Sequence, residues 1–180
     1  MTRYTRIALA IILSSPLFAI ERAAADENEF HPYVLAPGLV GESFLPSRNT
    51  TWWGGGLQVV LYGWSDNNER PGPGQGSVFA QFSELGASGV DDHLFLLRAG
   101  ATLAFERDAA RHWLIPYYGF ALGAMHESGS RGFAEASLGA YLLHSQHVVV
   151  SVDGGYLLAF SEIEELSGIR AQLNVTLIPW

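Results

Sequence analysis

The sequence predicts an all-β chain folded as an eight-stranded antiparallel up-and-down β-barrel, a meander. Three observations carry that reading. Apolar and polar residues alternate with period two through most of the chain. The alternating runs are about 9–14 residues long with turn residues between them, and no helical pattern intervenes. There is no cysteine in the 180 residues, so a backbone ladder and packing, not disulfides, must hold the fold.

Residues 1–25 stand apart. Arg3 and Arg6 precede an apolar run from Ile7 to Ile20, and Ala23, Ala24 and Ala25 lie before an acidic stretch. A basic start, a short apolar stretch and small residues form the pattern of a cleaved secretory signal peptide, too short for a comfortable spanning helix. Residues 26–180 then form one domain.

The strands are expected near 31–42, 52–64, 76–86, 93–106, 113–126, 132–143, 147–160 and 167–179. Pro32, Pro37 and Gly38 make the first the least regular. Turn chemistry separates them: "SRNT", "SDNNERPGPGQG", "ASGVDD", "ERDAAR", "ESGSR", "HSQ" and "SEIEEL". Hairpin-length connections imply antiparallel neighbours.

Alternation is clearest in the second half. In 93–106, Phe95, Leu97, Ala99, Ala101 and Leu103 oppose Arg98, Gly100 and Thr102. In 132–143, Ala134, Ala136, Leu138 and Ala140 oppose Glu135, Ser137, Gly139 and Tyr141. In 147–160, Val148, Val150, Val152 and Leu158 oppose Ser151, Asp153 and Gly155. In the last strand Ile169, Ala171, Leu173, Val175 and Leu177 alternate with Arg170, Gln172, Asn174 and Thr176.

A water-soluble barrel would turn the polar face outward, where many charges are needed. Here that face is mostly Ser, Thr, Gly and Gln, with roughly one charge per strand, too little for a wet exterior. The inverted arrangement fits better: apolar face to lipid, polar face to a narrow lumen. In it Arg98, Glu135, Asp153 and Arg170 form a charge cluster, with Glu84 as a further member. Backbone groups in lipid need internal partners, so the sheet must close, giving a transmembrane β-barrel. Eight strands leave an interior that side chains fill. The alternative is a soluble, lipocalin-like ligand-binding barrel.

Aromatic residues fall near the strand ends, as interfacial girdles require. The expected girdle is Trp52, Trp53, Phe105, Trp113, Phe160 and Trp180, although strand parity turns some aromatic side chains into the lumen.

The balance of 18 Asp and Glu against 10 Lys and Arg gives a net charge of −8, and every basic residue is arginine. Such acidity excludes nucleic-acid binding and offers no polybasic stripe. The glycine-rich "WWGGGLQ" and "RPGPGQG" open no helix and lack a following Lys-Ser/Thr, so they are not phosphate loops. No cofactor or metal site is expected. His144 and His147 make only two ligands at a turn, and Asp91, Asp92, Glu162, Glu164 and Glu165 read as solvated charge at one rim.

These features resemble the small eight-stranded outer-membrane barrels of Gram-negative bacteria, the OmpA-type superfamily. The resemblance rests on the leader, the meander, "IPYYGFALGA" (Ile115–Ala124) and the terminal "LNVTLIPW". It implies a porin-like fold in the cell envelope with a structural or interaction role and no enzymatic activity. It also implies outer-membrane lipids and lipopolysaccharide as surroundings, and the barrel-assembly machinery as a partner during insertion. Trp180 departs from the pattern, because its even parity differs from that of the odd apolar face. Some relatives deacylate lipid A with a His-x-Ser-Asn motif and a later glutamate. The nearest match here is His126, Ser128 and Glu135, with Gly129 in place of the asparagine, so a lipid A-modifying hydrolase is the enzymatic alternative.

Overall fold

A computed structural model describes residues 33–47, 50–63, 76–89, 91–105, 113–145 and 147–178. The expected signal peptide, Trp180, and most of the long 65–76 and 106–111 connections lie outside the described residues. Eight strands form one closed antiparallel barrel in chain order: β1 (Tyr33–Pro46), β2 (Trp52–Gly63), β3 (Ser77–Ala87), β4 (His93–Ala104), β5 (Ile115–His126), β6 (Ser130–His144), β7 (Val148–Ala159) and β8 (Gly168–Leu177). The β1–β2, β3–β4, β5–β6 and β7–β8 connections share one end, called here the first rim; the start of β1, the end of β8 and the other connections belong to the second.

The first strand runs four residues further than the sequence suggests and pairs on both sides, with β2 and with β8. Pro37 does not break it. The β1–β8 ladder begins only at Gly38, so on that side there is no rung for the missing N–H of Pro37 to lose.

Following the pairing once around gives the stagger. The path runs from Val34 through Tyr62, Ser77, Thr102, Gly119, Ser137, Gly155 and Arg170, and returns to β1 at Phe44, ten residues on. With eight strands such a stagger tilts each strand by about 40° and leaves an interior that side chains fill.

Period two decides which side chains enter. On β8, Ile169, Ala171, Leu173 and Leu177 are exposed while Arg170, Gln172, Asn174 and Thr176 are buried. The same sense holds on β4, β6 and β7: Leu97 and Leu138 point out, the latter 66% exposed, and Ser151 points in. The alternation breaks near the end of β6, where the register shifts between Tyr141 and Leu143. Leu142 is the extra residue of a bulge, so Leu142 and Leu143 both face outward and Tyr141 stays inside.

The "SEIEEL" connection, expected as a turn, contains a single helical turn, α1 (Ile163–Leu166), entered through Glu162 at a φ of 53°. The turn folds Leu166 back over the mouth of the barrel, where it joins buried side chains of the first rim.

Glycine has a specific use inside the barrel. A Cβ built on Gly139 would lie 2.5 Å from the Tyr117 ring and 2.6 Å from Asp153 Cβ, so only glycine leaves room for that contact. Outward Gly41 has nothing within 4 Å of the same position. Gly139→Val is therefore expected to cost about 1–3 kcal/mol through overpacking, read as a lower unfolding midpoint in denaturant. Gly41→Val is expected to leave that midpoint unchanged.

Candidate functional site

The lumen is stacked in three tiers. At the first rim Phe44, Trp52, Leu85, Leu96, Met125, Phe133 and Leu157 form an apolar plug, with Leu166 of α1 among them. At the second rim Val34, Ala36, Val60, Tyr62, Ile115, Tyr117, Tyr141, Val149 and Ile178 form another. Between them lies a polar tier to which every strand contributes: Glu42, Gln58, Gln81, Arg98, the hydroxyl of Tyr117, Glu135, Asp153 and Arg170 stand on β1 to β8 in that order, the Tyr117 ring belonging to the second-rim plug.

The cluster of Arg98, Glu135, Asp153 and Arg170 comes together in this tier. Arg98 is 2% exposed and Arg170 is 1% exposed. Arg98 Nη1 donates to Glu135 Oε2 at 2.7 Å. Arg170 Nε donates to Glu135 Oε1 at 2.9 Å, and Arg170 Nη2 reaches both Glu135 Oε1 and Asp153 Oδ1. Glu135 is thus held between two guanidinium groups. Asp153 Oδ2 also accepts from Gln172 Nε2 at 2.8 Å, Tyr117 OH at 3.0 Å and Asn174 Nδ2 at 3.2 Å. Charges removed from water need this density of partners, because an isolated buried ion is costly.

Two glutamates change places relative to the sequence reading. Glu84 is not in the lumen: it faces outward near the first rim, 2.9 Å from His93 Nδ1. Its neighbours Ser83 and Leu85 take the inward positions on β3. Glu42, which the sequence reading passed over, is buried instead. Its Oε2 accepts from Ser83 Oγ at 2.7 Å and Gln81 Nε2 at 3.0 Å, and lies 3.5 Å from Arg98 Nη2. The available signal was a lone charge among Leu39, Val40 and Phe44, obscured by the prolines that blur the parity of β1.

The girdle needs one correction. Trp53, Phe105, Trp113 and Phe160 are exposed and stand at strand ends, but Trp52 is 6% exposed and packs inside the first-rim plug. Adjacent residues on a strand face opposite ways, so Trp52 and Trp53 cannot both face out. Trp180 lies outside the described residues.

His126, Ser128 and Glu135 do not converge. His126 is exposed at the end of β5 and its Nδ1 is 3.0 Å from Ser130 Oγ, while Ser128 lies in the exposed turn. Glu135 is inside the barrel, five rungs below the His126–Ser130 pair, and is engaged by Arg98 and Arg170. A nucleophile, base and orienting acid need mutual hydrogen-bond contact, which these three lack. Of the acidic rim residues, Glu162 pairs with Arg131 at 3.0 Å. Among the described residues no three His, Cys, Asp or Glu side chains gather around a common point.

Comparison of the chain with protein-family models, with curated proteins and with solved structures finds no match.

Removing one partner of a buried ion pair strands the other. Arg98→Ala is expected to lower folding stability by about 3–5 kcal/mol. Arg131→Ala, which breaks the partly exposed rim pair, is expected to cost under about 1 kcal/mol. Denaturant midpoints of the two variants in detergent compare them directly.

Proposed function

We propose that this chain is an integral β-barrel of a bacterial outer membrane, exported through a cleaved leader at residues 1–25, with a structural or interaction role. It is neither an enzyme nor an open pore. Outer-membrane lipids and lipopolysaccharide are its surroundings, and the barrel-assembly machinery is its partner during insertion.

The observation that carries this reading is the outer wall. Leu39, Leu57, Leu97, Phe120, Leu122, Leu138 and Leu173 are all exposed, and together they span every strand but β3 and β7, where Phe82 and Leu158 continue the band. Among the described residues, the one Asp, Glu or Arg facing outward on a strand is Glu84, beside the first rim. An apolar surface of this extent has no stable place in water, where exposed apolar patches seldom exceed a few hundred Å². Against acyl chains it is the expected surface, and a ladder closed on itself leaves no strand edge unpaired there. Strands of 10–15 residues tilted by about 40° match the hydrocarbon thickness.

What supports a filled lumen is its tiers: two apolar clusters flank a layer in which arginine and carboxylate side chains meet across the axis. A role at the surface, or in the wall itself, suits such a barrel better than transport.

The direct test is membrane fractionation followed by electrophoresis with and without boiling. The folded protein is expected to sediment with membranes and to migrate anomalously until heated. Recovery in the soluble fraction without detergent would overturn the reading. A second test separates lipid from water as the outer solvent. Leu138→Arg, halfway along β6, is expected to lower stability in lipid by about 2–4 kcal/mol, whereas an exposed position in a soluble barrel would tolerate it.

A further inference from the structure

The outer wall carries one exception to its apolar character. Glu84 faces outward on β3, three residues before the strand ends, and its side chain is 51% exposed. His93, the first residue of β4, holds its Nδ1 2.9 Å from Glu84 Oε1. An ionised carboxylate only accepts, so the ring N–H donates. Glu84 Oε2 is left without a partner among the described residues. Toward β2 the carboxylate stands beside Gly55, so no side chain from that rung crowds it.

The surroundings of this carboxylate are aromatic. The Phe95 ring is stacked with both His93 and Phe82, at centroid distances of 6.4 and 6.1 Å. Ring faces attract organic cations, and a carboxylate beside them adds a hydrogen-bond acceptor. Phe95 is also the rung between Glu84 on β3 and His126 on β5, and His126 is paired in turn with Ser130 on β6. These four residues form one row across neighbouring strands on the outward face. His126 Nδ1 is 3.0 Å from Ser130 Oγ. When the hydroxyl donates to Nδ1, the ring proton sits on Nε2, which is then a donor. The row is polarised: an acceptor for a cation at Glu84, and a donor for an anion two strands away, about 10 Å between backbones.

We propose, resting on the membrane reading above, that this row binds a lipid headgroup of the phosphoethanolamine class. The primary ammonium sits at Glu84 against the rings of Phe82 and Phe95, and the phosphate accepts from His126 and Ser130. A primary ammonium offers N–H groups for the carboxylate, whereas a quaternary ammonium of the same charge offers none. The site therefore separates headgroups of equal net charge. One carboxylate does not supply the several oxygens that a divalent ion takes, so an organic cation is the better fit. The row lies at the rim end of the apolar wall, whose exposed Leu97 and Leu122 follow further from the rim. Acyl chains of the same molecule cover them, which points to a lipid and not to a free amine.

The experiment places one fluorophore on the full-length protein, reconstituted into phosphatidylcholine vesicles. One label is at Gly86→Cys, outward beside Glu84, where a Cβ has nothing within 4 Å. The control label is at Ile169→Cys, exposed on β8 and opposite β4 in the closed ladder. Phosphatidylethanolamine and phosphatidylcholine carrying the same acyl-chain nitroxide are added in turn, and quenching is followed against mole fraction. At Gly86→Cys the ethanolamine lipid is expected to reach half-quenching at roughly one-third the mole fraction of the choline lipid, the scale of one partly exposed charge pair. Adding Glu84→Gln removes that preference. Adding His126→Ala raises the mole fraction required for both lipids, since both carry the phosphate. The label at Ile169→Cys shows no preference. Equal half-quenching by the two lipids at Gly86→Cys would overturn the proposal and leave the membrane reading standing. So would a preference that survives Glu84→Gln or recurs at Ile169→Cys, or quenching that His126→Ala leaves unchanged. No quenching by either lipid at either label would overturn the membrane reading and this proposal with it.

Discussion

In a closed ladder of eight strands every second side chain is committed to the inside, and the lumen is too narrow to hold water in bulk. Whatever enters must be satisfied by other side chains. Among the described residues two arginines and three carboxylates enter, and the contacts that satisfy them include ones between strands that are not neighbours, Arg98 of β4 to Glu135 of β6 and Arg170 of β8 to Glu135, while Arg170 also reaches Asp153 on the adjacent β7. The ladder fixes neighbour to neighbour, while the two ion pairs to Glu135 tie strands that are not paired with each other. Each depends on the other, since an Arg–carboxylate contact at this depth forms only if the stagger brings the two residues to the same level.

The apolar plugs follow from the same constraint. Near the rims water is close, and a charged layer there would be solvated and weakly paired. Phe44, Phe133 and Leu157 on one side and Val60, Tyr141 and Val149 on the other flank the charged layer with apolar groups, which lowers the effective dielectric in the middle and strengthens the pairing. The cost is that any mismatch of charge inside is also amplified. Glu42, whose Oε1 has no hydrogen-bond partner, is where satisfaction is least complete.

Much of this was legible in the sequence because period two needs no tertiary information: the alternation of Ile169–Leu177 with Arg170–Thr176 already assigns both faces of β8. Lumen charges on well-patterned strands, Arg98, Glu135, Asp153 and Arg170, could be read the same way. What escaped were positions where parity is locally ambiguous. Glu42 sits on a strand whose inward face carries Val34, Val40 and Phe44, so its two faces look alike in hydropathy. Glu84 and Trp52 lie within a few residues of a turn, where one residue of register decides between inside and outside. The bulge at Leu142 is likewise invisible to alternation, since Leu142 and the Leu143 that follows it are the same residue type. Distances within the network depend on the stagger around the barrel, which no single strand encodes.

The proposed membrane role requires the leucine-rich wall to face acyl chains. Because the chain contains no cysteine, a single nitroxide label can be placed at Leu97→Cys, halfway along β4 on the outward face, in protein reconstituted into vesicles. A label facing acyl chains is expected to collide frequently with oxygen, which concentrates in hydrocarbon, and to be protected from a water-soluble nickel complex, in contrast to a label at Glu164→Cys in the exposed turn. Equal access of the nickel complex to both labels would mean that the wall meets water and would rule out the membrane assignment.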